Sequence, residues 1–459
     1  MTTTPADRLD PALLKLAAVL VLGALAPLLD STIVNVAIHT VGTALHTNVA
    51  TVQWVGTAYL LALAVVVPVT GWASTRFGAK RLWIVALALF LLGSVLSGAA
   101  WNIEALIGFR VLQGVGAGLM LPILQTLLLR AAGRDRIGRL MAVVTLPALI
   151  GPILGPAVGG LLVDHLDWRW IFYLNLPICV AAILFAARVL PADEPGTARP
   201  LDVPGLLLLS PAVAALIYGL TRTGSDGGFA HADVLIPLAA GLVLLSWYVV
   251  RRPRHPLIDL SLFRTRSFAA STALLFLAGF ALYGAMFLLP LFYQQARGAS
   301  VAATGLLLIP QGLGSLLARA SGGLSDRFGP RPVVLGGVAL TAIGTIPFAV
   351  PSTAYWLLAI ALVVRGAGLS AINLAVMVGA FRDLRPEQIP DACGVTRTVQ
   401  QLGGAFGGAT LAVILQTQLS GHTSADAYAV SFAWATFFVA LAALPALGLP
   451  GRPHGGLLN

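Results

Sequence analysis

One acidic residue, Asp30, lies deep inside a long apolar stretch of the chain, in the run Leu29-Asp30-Ser31-Thr32-Ile33-Val34-Asn35-Val36-Ala37. A charge near the centre of a bilayer-spanning helix costs about 2.5–3.5 kcal/mol on insertion scales. A carboxylate kept at that cost points to reversible binding of a proton or a cation. Arg110 is an embedded basic counterpart in a later apolar stretch. At helical rise, Asp30 lies roughly 12 Å below the outer end of its segment and Arg110 roughly 10 Å below the outer end of its own. At similar depths the two are expected to interact, directly or through water. Desolvation favours the neutral acid and a guanidinium favours the carboxylate. A carboxyl group balanced between them can change protonation as its surroundings open to one side or the other. The competing role is a static buried ion pair that fixes helix packing.

Other polar groups are candidates of lower specificity. Arg365 is embedded, and it could bind an anion, face a solvated cavity or satisfy backbone carbonyls. Arg319 is close enough to a segment end to snorkel. Arg397 sits beside Gln400 and Gln401 and is read as a polar cluster near the cytoplasm. Asn35, Gln53, Trp54, Tyr59, Tyr283, Phe287, Tyr293, Gln294 and Gln311 are the candidate substrate contacts. Aromatic faces attract lipophilic cations by about 0.5–2 kcal/mol each, and amides add adaptable hydrogen bonds. Trp54 and Tyr293 have a competing role as interface anchors. Gly151, Pro152, Gly155, Pro156, Gly159 and Gly160 crowd one segment. Proline bends a helix and glycine lets a neighbour approach closely, so this segment is expected to be a pliable seam; a merely kinked helix is the alternative.

These residues are held by a chain that reads as membrane-embedded throughout. Of its 459 residues 58% are hydrophobic and only 10% charged, too little charge for a soluble protein. Fourteen apolar stretches are expected to be helices at about 12–38, 50–73, 82–100, 103–131, 138–163, 170–190, 203–221, 233–250, 267–293, 302–319, 332–350, 353–379, 393–418 and 428–450. They are long, solid runs and not the short alternating segments of a barrel. The net charge of +10 comes from arginine and lysine gathered in alternate loops, at 76–81, 130–139 and 251–266. That asymmetry is the positive-inside pattern; it puts those loops and both termini in the cytoplasm of a plasma membrane, and argues against a nucleic-acid partner. The N-terminal apolar stretch runs past Asp30 without a cleavage site, unlike a secretory signal. Cys179 and Cys393 offer no disulfide framework or metal cluster.

The chain also repeats. Gly71-Trp72-Ala73-Ser74-Thr75-Arg76-Phe77-Gly78 recurs as Gly322-Gly323-Leu324-Ser325-Asp326-Arg327-Phe328-Gly329, and Arg110 recurs at nearly the same offset as Arg365. The expected fold class is therefore an all-α polytopic membrane protein: two pseudo-symmetric six-helix bundles, residues 1–190 and 267–459, with two inserted helices and their linkers at 191–266. Paired halves around a central site are a common transporter plan.

These motifs resemble the major facilitator superfamily, and within it the fourteen-helix drug:proton antiporters. The Asp30 run is similar to that family's first-helix motif, and Gln53-Trp54 with Tyr59 to its second. Arg110-Val111-Leu112-Gln113-Gly114-Val115-Gly116-Ala117-Gly118 is similar to the fourth-helix motif, and 151–160 to the fifth-helix antiporter motif. Trp168-Arg169-Trp170-Ile171-Phe172-Tyr173-Leu174-Asn175-Leu176-Pro177 resembles a stretch specific to the fourteen-helix branch. The resemblance implies that helices 1 and 4 of the fold line a central cavity, that Asp30 and Arg110 couple protons, and that Gly71, Arg76, Gly78, Asp326, Arg327, Gly329 and Arg365 belong to conformational motifs. Where the family often has an acid in the first of these motifs, Thr75 stands here, so the latch it makes is expected to be weaker or built differently.

No Walker A sequence is present, the 7 histidines are scattered over loops and ends, and no nucleophile elbow appears. The expected activity is proton-coupled export of lipophilic or weakly basic compounds by a monomer working by alternating access, with no cofactor beyond the proton-motive force. The alternative is a dedicated exporter of one natural product, siderophore or lipid with neutral or anionic charge. A polytopic membrane enzyme or sensor is remote, because only Asp30 and Arg110 gather at one depth.

Overall fold

The computed structural model describes residues 11–47, 49–132, 158–159, 161–163, 165–193, 200–222, 231–251, 253, 256–317, 328–381, 384–421 and 423–451. The long elements among them are helices: α1 Pro11–Ala44, α2 Val49–Val66, α3 Thr70–Phe77, α4 Ala79–Gly98, α5 Ile103–Ala132, α6 Asn175–Val189, α7 Val203–Arg222, α8 Ala232–Val250, α9 Arg266–Leu291, α10 Val301–Leu317, α11 Pro330–Thr345, α12 Tyr355–Phe381, α13 Ile389–Leu419 and α14 Ser424–Leu441. A helix satisfies its own backbone groups, which is why long apolar runs adopt it in lipid. Twelve helices among the described residues are long and apolar enough to cross a membrane. Of the remaining two expected spans, 302–319 corresponds to the shorter apolar α10, and 138–163 lies mostly outside the described residues. α1 runs to Ala44, past the expected end near residue 38, so Asp30 lies deeper in its helix than the sequence suggested.

The chain forms two compact units, one of residues 1–63 with 73–198 and the other of residues 64–72 with 199–459. The inserted helices α7 and α8 therefore fold with the second unit. Ser210 Oγ on α7 donates to the Val65 carbonyl (2.6 Å), and Asp202 accepts from Gly205 N (2.9 Å) and Arg251 Nη2 (3.0 Å), tying both ends of the insert together.

In the first unit α4 and α5 meet through glycine. A Cβ on Gly116 would come within 2.6 Å of Phe90 N and 2.8 Å of the Ala86 carbonyl, and one on Gly93 within 2.7 Å of Gln113 Cα. The second unit repeats this between α11 and α12. A Cβ on Gly368 would lie 2.6 Å from the Gly337 carbonyl and from Thr341 N, and one on Gly344 2.6 Å from Arg365 N. The glycines that end the repeated motif also agree: Gly78 and Gly329 open α4 and α11 with φ of 90° and 85°, a backbone region where only glycine is unstrained.

Behind Gly78 stands a reciprocal clamp. The Asp193 carboxylate, just past α6, accepts from Lys80 N (2.8 Å) and Arg81 N (3.0 Å) at the start of α4. Lys80 Nζ donates back to the Ala187 and Leu190 carbonyls (2.9 and 2.7 Å) at the end of α6. Acid at a helix N-terminus and base at a C-terminus each stabilise.

Candidate functional site

Five helices of the first unit converge on Asp30. α1 supplies Asp30, α2 Val55 and Tyr59, α4 Ser94, α5 Arg110 and Gln113, and α6 Asn175. Arg110 and Gln113 lie one helical turn apart and so share a face. Arg110 Nη1 donates to Asp30 Oδ2 at 2.6 Å and to Gln113 Oε1 at 2.6 Å, and its Nε donates to the Val55 carbonyl at 3.2 Å. Gln113 Nε2 donates to Asp30 Oδ1 (3.0 Å) and Ser94 Oγ (2.7 Å). Asn175 Nδ2 reaches the same two acceptors at 3.4 and 3.2 Å. Tyr59 lays its ring 4.1 Å from the guanidinium carbon, and Phe172 approaches it at 5.7 Å. Asp30 and Arg110 are each 1% exposed, and Gln113, Ser94 and Asn175 are equally buried.

The carboxylate thus receives one charge-assisted bond and two amide bonds while buried. Hydrogen bonds to charged groups contribute about 1.5–3 kcal/mol each, and the pair survives burial because its remaining lone pairs are also met. The site has acceptors ready for a protonated Asp30 as well. Gln113 Oε1 and Ser94 Oγ belong to the same network, and Asn175 Oδ1 is buried with no partner among the described residues. Sequence reasoning missed Ser94, Gln113 and Asn175 as members. Gln113 and Asn175 stood inside motifs that had been recognised; Ser94 had no signal at all.

The other candidates fall elsewhere. Tyr59 is buried against Arg110 and belongs to this cluster. Gln53 is exposed and Trp54 is 41% exposed, both on α2. Asn35 is on α1, with its side chain outside the described residues. Tyr283, 37% exposed, covers Gly404 on α13. Phe287 packs on an aromatic core that contains Tyr293, Phe292, Phe348, Tyr428 and Phe432. Tyr293 stacks on Tyr355 at 6.4 Å, and it shares with Gln294 a π-helical turn, Phe292–Ala296, that follows Pro290. Gln311 on α10 accepts from Arg365 Nη1 at 2.8 Å. Gln400 accepts from Arg397 (3.1 Å) and donates to Asn373 (3.0 Å).

Among the conformational candidates, Gly71 packs on Asp391 in the first turn of α13 and Arg76 is exposed at the end of α3. A Cβ on Gly159 would lie 3.1 Å from Ile33 on α1. Gly151, Pro152, Gly155, Pro156, Gly160, Arg319, Asp326 and Arg327 lie outside the described residues. Arg365 is corrected by one turn. The glycine contacts of α11 and α12 match it to Gln113, not to Arg110.

The family model of the Major Facilitator Superfamily matches residues 20–408. The chain belongs to the Major Facilitator Superfamily. It is a multi-pass membrane transporter of that superfamily, and not an enzyme. It is 40% identical over 425 residues to the multidrug resistance protein B homolog of Mycobacterium tuberculosis (strain ATCC 25618 / H37Rv), a match that covers 90% of this chain and 78% of the relative. It is 29% identical over 411 residues to the uncharacterized MFS-type transporter YhcA of Bacillus subtilis (strain 168), covering 88% and 77%. Among solved structures, the proton:xylose symporter XylE bound to 6-bromo-6-deoxy-D-glucose shares the fold at a TM-score of 0.63 and 16% identity, over 94% of each chain.

Proposed function

We propose that this superfamily member is a proton-coupled antiporter that exports lipophilic or weakly basic compounds by alternating access, with Asp30 as the proton carrier. The observation that carries the proposal is the buried Asp30–Arg110 pair at 2.6 Å, bracketed by Gln113 and Asn175. In its charged form Asp30 is held by Arg110 and two amides. When it takes a proton its attraction to Arg110 weakens, and its new O–H finds an acceptor in Gln113 Oε1, Ser94 Oγ or Asn175 Oδ1. Arg110 keeps the Val55 carbonyl and the Tyr59 ring in either state, so the guanidinium is not stranded when the proton arrives. Each protonation state therefore has its own set of satisfied bonds, as a two-state element requires.

Export of drugs is supported by the 40% identity to a protein named for multidrug resistance. Fourteen spans, with both termini in the cytoplasm, are supported by α10 and by the apolar stretch at 138–163 in addition to the twelve described spans. The protein is taken to act as a monomer powered by the proton-motive force.

Proton movement across proteoliposomes holding a pH gradient tests this. A panel of cationic, neutral and anionic compounds is added to the native protein and to Asp30→Asn. The expected result is compound-triggered proton flux in the native protein that vanishes in the variant. Equal flux in both would remove Asp30 as the carrier.

A further inference from the structure

Arg365 stands in the second unit without a counterion among the described residues. It is 2% exposed on a membrane-spanning helix. Its described acceptors are both neutral: Gln311 Oε1 and the Ala281 carbonyl, each at 2.8 Å. Nη1 and Nη2 thus each meet one neutral acceptor, and no carboxylate among the described residues compensates the charge.

The repeat identifies the missing partner. The spacing that carries Gly71 to Gly322, Gly78 to Gly329 and Gly93 to Gly344 also carries Asp30 to Ala281. A spacing one residue longer carries Gly116 to Gly368 and Gln113 to Arg365, and the helix contacts obey it. In the first unit Gln113 donates its amide to the Asp30 carboxylate. In the second, a cation replaces the amide and reaches toward the same register, where the carboxylate has become the methyl of Ala281. A buried charge in a membrane helix is expensive and marks a ligand or ion pathway unless the chain neutralises it.

We propose that Arg365, with Gln311 beside it, forms an anion subsite. It takes a carboxylate carried by an anionic or zwitterionic cargo, or a small monovalent anion from solution. The planar guanidinium suits a carboxylate through two parallel hydrogen bonds. The carboxylate arm rests on the reading of the protein as an exporter; anion binding itself requires no proton coupling.

Thermal unfolding of the purified full-length protein in lipid nanodiscs tests this, titrated separately with sodium benzoate, sodium chloride and benzamide in a Tris-sulfate buffer. A saturable rise in unfolding temperature is expected with an anion and none with benzamide. Arg365→Gln should weaken the response at least about tenfold, as for loss of one charge-assisted contact. Ala281→Asp, which keeps the arginine but gives it an internal carboxylate, should abolish the response without lowering the starting stability. This variant keeps the test decisive if Arg365→Gln folds poorly. A response to benzoate alone assigns the site to a cargo carboxylate, and a response to chloride as well assigns it to a free anion. No saturable response to either anion, or an unchanged response in Ala281→Asp, overturns the subsite. Intact anion binding in a protein that shows no proton exchange would sink the antiport reading and leave the subsite standing.

Discussion

Arg110 Nη1 lies 2.6 Å from Asp30 Oδ2 with neither side chain open to solvent. Removing one member of such a pair leaves a buried charge, a loss of about 3–5 kcal/mol, whereas removing both is far milder. Arg110→Gln is therefore expected to lower the unfolding temperature of the purified protein sharply. The double variant Asp30→Asn with Arg110→Gln should recover most of that loss, while still lacking proton exchange. Additive losses would mean that the two side chains are not coupled.

Charge alone does not describe Arg110. Its Nε bonds the Val55 carbonyl, and its guanidinium carbon sits over the Tyr59 ring, 4.1 Å from the centroid. A lysine keeps the charge but has neither the planar face nor the forked donors. Arg110→Lys is expected to fold normally and to lose at least about tenfold in exchange rate, the value of a charge-assisted bond. Native rates in Arg110→Lys would reduce the arginine to a counterion.

The helix seam beside this site should be intolerant of a single methyl. A Cβ on Gly93 would sit 2.7 Å from Gln113 Cα, where nothing can yield except by moving α4 away from α5. Gly93→Ala should cost about 1–3 kcal/mol by overpacking and disturb the hydrogen bond of Gln113 to Asp30. Gly56→Ala is the control, since nothing lies within 4 Å of a Cβ there. Comparison of the two by thermal unfolding and by proton flux checks this. Equal behaviour would show that the α4–α5 contact has slack.

The sequence made the spans, the repeat and the Asp30–Arg110 pair legible, because each is written in local composition. Long apolar runs reveal helices, and a charge inside one is conspicuous. The rest of the site depends on which helix faces touch. Ser94 lies in Leu91-Leu92-Gly93-Ser94-Val95-Leu96, where a serine looks like any small membrane residue until α5 and α6 bring Gln113 and Asn175 onto it. Tyr59 was expected as a substrate contact because its type suits lipophilic cations, and nothing in its composition signalled that its ring would also face Arg110. Arg365 was matched to Arg110 on residue type, and only the packing of Gly344 against it revealed a register one turn on. A glycine-to-glycine alignment of the two halves would have supplied that signal from the sequence.

The clamp between α4 and α6 answers the departure at Thr75. The first copy of the repeated motif lacks the acid that Asp326 supplies in the second, yet α4 still begins against a carboxylate, that of Asp193. Asp193→Ala should cost about 0.5–2 kcal/mol, as other lost helix caps do. Gly78→Ala should cost more. It combines the penalty for a positive-φ, extended backbone (φ 90°, ψ 144°), about 1–3 kcal/mol, with a collision of the new methyl against the Asp193 side chain. In the background of Asp193→Ala the carboxylate part of that collision is gone and only the contact with the Cβ of residue 193 is left, so Gly78→Ala should then cost less than it does beside Asp193. The two substitutions are thus expected to be less than additive when unfolding temperatures of the four proteins are compared. Strict additivity would show that Asp193 does not rest on Gly78 in the membrane, and that the start of α4 is held by something other than this carboxylate.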